Sequence, residues 1–147
     1  MLAAVERINC DKALIRLYKE LAEAIDEISA LIRFQSMDVY GICETVFAKS
    51  KKHLPDFSQI NGNFSEGWAK SCRKNILPVS MRASELFESA GSFLGQYDAE
   101  TQLKRLSCIE SELMAEHDRL SQRLSERKKL YYCVSGFAGM MLCLILL

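Results

Sequence analysis

The stretch Asp98–Leu147 reads DAETQLKRLSCIESELMAEHDRLSQRLSERKKLYYCVSGFAGMMLCLILL, fifty residues without a proline. Leu103, Leu106, Ile109, Leu113, Leu120, Leu124 and Tyr131 recur at spacings that hold one apolar face on a helix, interrupted at Glu110 and His117. Asp98 is a good N-cap, and nothing after it breaks the helix before the tail. At ~1.5 Å per residue such a helix is ~75 Å long. That is more than a body of the preceding residues would cover, so part of it is expected to project, to pair with another chain, or to form a stalk.

The end of this stretch changes character. Leu130–Leu147 carries no charge, while Arg119, Arg123, Arg127, Lys128 and Lys129 precede it with only Glu126 opposing them. Tyr131–Leu147 spans ~26 Å as a helix, close to the ~30 Å of a bilayer's hydrocarbon core. Arg123, Arg127, Lys128 and Lys129 form a collar suited to cytoplasmic headgroups, and Tyr131 and Tyr132 suit the interface. A soluble helix ordinarily keeps a polar face, and this segment has none. The expectation is a C-terminal transmembrane segment at 131–147, in contact with membrane lipid.

Working towards the N-terminus, the pattern remains helical. Gly95 closes an apolar segment opening at Ser80, with Leu86, Phe87, Ala90, Phe93 and Leu94 on its buried side. Pro78 separates it from a helix begun by Asn63, with Glu66 placed for a capping box and Trp68, Ala69, Cys72 and Ile76 on its apolar face. Residues 54–63 hold Pro55 and Asn61-Gly62-Asn63 and read as a loop. Asp38 to about Lys52 makes a second helix, with Val39, Ile42, Val46 and Phe47 buried. Most of Ala3–Gln35 makes the first, with Leu14, Leu17, Leu21, Ala24, Ile28 and Leu31 along one seam and Glu20, Glu23, Asp26 and Glu27 on a solvated face. The fold class is therefore all-α: an antiparallel bundle of five or six helices. Residues 1–97 form the bundle, 98–130 a long amphipathic helix shared by bundle and stalk, and 131–147 the anchor.

The chemistry-bearing residues are sparse. Acids and bases balance at 19 each, which leaves no electrostatic footprint for nucleic acid. Cys10, Cys43, Cys72, Cys108, Cys133 and Cys143 form no C-x-x-C, and His53 and His117 lie far from them in sequence. Neither a zinc site nor a disulfide framework is expected, and scattered thiols fit a reducing compartment. There is no phosphate-binding glycine loop, no nucleophile elbow and no H-E-x-x-H. No catalytic residue, cofactor or metal is expected, and the chain reads as a scaffold rather than an enzyme.

The block Gly91-Ser92-Phe93-Leu94-Gly95-Gln96-Tyr97-Asp98-Ala99-Glu100-Thr101-Gln102 resembles the G-x-x-L-G-x-x-D-x-x-x-Q signature of the stage III sporulation protein AB family. Tyr40-Gly41, the turn and helix start from Gly62 to Trp68, and Gly136–Leu142 resemble further pieces of that family in the same order. The resemblance implies a membrane protein of the sporulation channel between mother cell and forespore. Its partners would be other membrane proteins of that channel, its ATPase among the candidates, or a second copy of the chain. It implies the outer forespore membrane, with the body facing the mother-cell cytoplasm. The soluble part is also similar to the cytoplasmic helical bundle of the type II secretion F protein, an inner-membrane platform.

Two departures from the resemblance are visible. The resemblance implies an apolar transmembrane segment at the start, but only Met1–Val5 is apolar before Glu6 and Arg7, so the expectation is either a single, C-terminal anchor or a true start further upstream. Ser92 stands where the resemblance implies a glutamate, so no carboxylate-dependent ion site is expected there. Gly91, Leu94, Gly95, Asp98, Gln102 and Trp68 are read as a structural signature: Gly91 and Gly95 leave room for a close helix approach, and Asp98 caps the long helix. The competing readings are a tail-anchored coiled-coil tether of the fusion class and a small membrane-bound redox protein. The first conflicts with the glycine corner, the second with the cysteine spacing.

Overall fold

The structure, a computed structural model, describes residues 2–34, 38–48 and 62–146, with side chains described from Glu6 onward. Its elements are α1 (Leu2–Phe34), α2 (Val39–Ala48), α3 (Phe64–Asn75), α4 (Met81–Gly91) and α5 (Ala99–Leu146), an all-α bundle without strands among the described residues. The expected loop at residues 54–61 and the expected end of the second helix at residues 49–52 lie outside the described residues.

The dominant pairing is α1 against α5. It is antiparallel: Arg127 Nη1 donates to Asp11 Oδ2 at 3.0 Å, while Asp26 faces Glu110 at the other end. Leu17, Leu21, Ile25 and Ile28 of α1 and Leu106, Ile109 and Leu113 of α5 are buried in the resulting core. Each such side chain contributes ~1.5–3 kcal/mol relative to exposure. The α5 seam is thus closed by a helix of the same chain. α1 accompanies α5 as far as Arg127. What projects beyond α1 is almost entirely the apolar segment.

The charged face of α1 is less solvated than the sequence suggests. Asp26 and Glu27 are exposed, but Glu20 and Glu23 are half-buried, and Glu20 Oε2 is shielded with no hydrogen-bond partner among the described residues. His117 is half-buried, its Nδ1 2.9 Å from Asp118 Oδ1.

The shorter helices are packed by aromatic rings. Trp68 stacks on Phe87 with centroids 5.0 Å apart, and Phe47 meets both rings edge-on at 5.8 and 6.4 Å. Such pairs add ~0.5–1.5 kcal/mol each beyond their burial. Ser80 caps α4 by accepting the Ala83 N–H at 3.2 Å, and the same hydroxyl lies 3.2 Å from the buried Tyr18 phenol, which ties α4 to α1. Asn63 caps α3 through the Ser65 N–H rather than at Glu66, so the expected reciprocal box is reduced to one bond.

Partial burial and the nearby Asp26 raise the Glu110 carboxyl above its usual range. A raised folded-state value means that ionisation opposes folding, so the penalty is present above that value and vanishes once the group is protonated. Glu110→Gln should raise the melting temperature at pH 7, and the difference from the parent should close by about pH 3. Melts of the two proteins at both pH values check this; an equal gain at both would rule out ionisation as the cause.

Candidate functional site: the signature corner and the juxtamembrane collar

The residues of the signature meet at one corner, where α4 turns into α5. α4 ends at Gly91, not at Leu94 as the spacing suggests. Residues 92–95 continue as turns, in which the Leu94 N–H still reaches Ala90 O at 3.3 Å and the Gln96 N–H reaches Phe93 O at 3.1 Å. Phe93 and Leu94 are buried within this turn. Gly95 follows with φ +77°, a conformation that side chains with a Cβ rarely adopt.

Gly91 has an ordinary backbone, and its demand is for space. A Cβ there would overlap Cγ and Cδ1 of the Trp68 ring. The indole is fully buried, and its Nε1–H donates to Phe87 O at 2.7 Å, so it is held both by packing and by a buried hydrogen bond. The close approach read from the two glycines is therefore made by side chains. Trp68 of α3 fills the place at Gly91, and Val39 of α2 lies 2.9 Å from where a Cβ on Gly95 would stand.

The other signature residues lock the start of α5. Asp98 accepts the Thr101 N–H at 3.0 Å through Oδ2 and the Thr101 hydroxyl at 2.7 Å through Oδ1. These bonds hold its carboxyl below the usual range. Gln102, nearly buried, works in both directions: Oε1 accepts the Gly95 N–H at 3.4 Å, and Nε2 donates to Tyr97 O at 2.5 Å. A glutamate at that position would lose the donor, and a leucine both bonds. Sequence reasoning passed over Thr101 and Arg105. Thr101 sits three residues after the cap, where a hydroxyl can reach back. Arg105 lies over the Tyr97 ring at 4.4 Å and the Phe93 ring at 5.5 Å.

Burial pushes the Cys43 thiol up to about 12, with Asp38 adding to it, and burial likewise pushes Cys72 up to about 12, with Glu88 adding and Arg73 opposing. Such thiols stay protonated and unreactive. No group of His, Cys, Asp and Glu among the described residues is arranged to hold a metal ion.

The collar lies at the opposite end of α5. Arg123, Lys128 and Lys129 are exposed, and Arg127 is engaged by Asp11. Tyr131 is half-exposed, and beyond it the apolar side chains stand in solvent, from Phe137 at 71% to Leu146 at 81% exposure. The 18-residue apolar window of α5 is long enough to cross a membrane and is not buried anywhere in the fold. A core helix of a soluble protein passes the same length test but is mostly covered.

Fold and collar together define an all-α bundle whose last helix continues as an uncovered apolar segment of anchor length. The chain belongs to the stage III sporulation protein AB family, whose model matches residues 9–147. Among curated proteins and among solved structures no significant match was found.

Gly91→Ala should destabilise the bundle by ~1–3 kcal/mol through overpacking against Trp68, and Gly95→Val by ~1–3 kcal/mol through backbone strain. Asp98→Ala should lower the melting temperature at pH 7. The depressed carboxyl stabilises the fold above its unfolded-state range and loses that effect as the pH falls through the folded value, so the deficit should shrink in acid. Denaturation of the full chain in detergent micelles measures all three. Parent-like stability of Gly91→Ala would show that Trp68 can move aside and does not set the corner.

Proposed function

We propose that this chain is a non-enzymatic, membrane-anchored assembly component of the sporulation channel between mother cell and forespore. Its bundle faces the mother-cell cytoplasm from the outer forespore membrane. Family membership supports the sporulation role. The observation that carries the anchored arrangement is the uncovered apolar half of α5 directly behind a basic collar. The two buried thiols, Cys43 and Cys72, are held protonated, and the four exposed ones form no C-x-x-C, which favours a scaffold over a redox protein.

The partners in this proposal are other membrane proteins of the channel, its ATPase, or a second copy of the chain. Leu77, Val79 and Met81, exposed at 43, 54 and 67%, crowd the turn between α3 and α4 and offer apolar contact to such a partner. A platform role like that of the type II secretion F protein follows from the resemblance of the helix order. The coiled-coil tether is disfavoured because α1 already occupies the α5 seam.

Truncation after Lys129 should release the protein from membranes after a high-salt wash. Leu142→Arg should weaken association strongly, since a central arginine costs ~2.5–3.5 kcal/mol. In sporulating cells the full chain should co-purify with other channel membrane proteins, and Gly95→Val should lose them. A truncated chain that still sediments would overturn the anchored arrangement, and a full chain that sediments alone would overturn the assembly role.

A further inference from the structure

We propose that the chain holds one anionic glycerophospholipid by its headgroup, in a cleft between the start of α1 and the membrane-proximal end of α5. The cleft has a volume of about 580 Å³ and is lined by Arg7 and Ile8 of α1 and by Arg123, Glu126, Arg127, Leu130 and Tyr131 of α5. Its size falls within the ordinary range for small-ligand sites. The antiparallel packing creates it: residues far apart in sequence meet where α1 runs alongside the last charged turns of α5.

The charges favour an anion. Arg127 is committed to Asp11 at 3.0 Å. Among the described residues Arg7 and Arg123 form no ion pair, and Glu126 is the one acid lining the cleft. Two guanidinium groups from two helices present planar paired donors, the geometry that suits a phosphate diester. The apolar lining decides between a lipid and a free phosphate. Ile8 and Leu130 have nothing to offer a soluble anion, but they suit the glycerol and first acyl carbons of a lipid. The cleft lies at the level of Tyr131, where the charged body gives way to the uncovered apolar helix. A phosphate there sits at headgroup depth, and its acyl chains continue along α5. The collar lysines, Lys128 and Lys129, lie outside the cleft and supply only diffuse attraction.

This inference rests on the anchored arrangement proposed above, and the test separates the two. The full chain is taken into micelles containing equal amounts of phosphatidylglycerol and phosphatidylcholine, and retained lipid is counted by native mass spectrometry. One phosphatidylglycerol per chain is expected, with at least tenfold preference over phosphatidylcholine. Arg7→Ala with Arg123→Ala should abolish the preference, while Lys128→Ala with Lys129→Ala should keep it; circular dichroism checks that both variants stay folded. Equal loss in the two double variants would mean diffuse collar attraction and would overturn the site, as would absence of headgroup preference in the parent. Displacement of the lipid by millimolar glycerol phosphate would assign the cleft to a soluble phosphate ester and also overturn it. A parent chain that fails to sediment with membranes overturns the anchored arrangement; one that sediments without retaining phosphatidylglycerol overturns this inference alone.

Discussion

The architecture turns on the contact between the Trp68 ring and the bare Cα of Gly91. An indole is the largest side chain a core can hold, and here it is fully buried against a helix position that has no room even for a methyl group. Its one polar atom is satisfied by Phe87 O, so the ring has one orientation in which both packing and hydrogen bonding are met. With that ring fixed, Phe47, Phe64 and Phe87 have fixed neighbours, and α2, α3 and α4 are gathered around one point.

The direction of α5 follows from the same point. Gly95 reverses the chain, Asp98 and Thr101 start the new helix, and Gln102 staples the reversal to its first turn. Their combined effect is an angle: α5 leaves the corner so that its apolar seam meets α1 along its length. The charged ends of the seam, at Asp11 and Arg127, are exposed enough to add little energy, and their part is to fix register.

Much of this was legible in the sequence because the signals were local. Helix caps at Asn63, Ser80 and Asp98 announce themselves by residue type, and the uncharged tail is visible as composition. The apolar periodicity of 98–130 gave the seam but not its occupant, since a heptad-like face is the same whether the covering helix comes from this chain or another. For that reason α1 running down to Arg127 emerged only from the structure. The glycines were recognisable as a close approach, yet spacing cannot say that Trp68 and Val39, and not another helix backbone, make it. Gln102 looked like one polar residue among many on an amphipathic helix; its two bonds depend on a turn whose path no periodicity describes. The Arg7–Arg123 cleft was equally hidden, because Arg7 and Arg123 are more than a hundred residues apart.

The pairing of the first helix with the last also bears on how the chain acquires its shape during synthesis. Asp11 and Arg127 are separated by 116 positions, and the main packing partner of α1 is α5. At ~5–20 residues per second the ribosome needs on the order of ten seconds to deliver that partner. Throughout that interval the apolar face of α1 has no permanent cover, in a protein whose helical content would otherwise favour rapid folding from local contacts. The pairing that closes the core is thus long-range in sequence, although most of the contacts in the helices are local. The interval in which it is vulnerable to aggregation is set by the length of the segment between the two helices and not by the strength of the finished core.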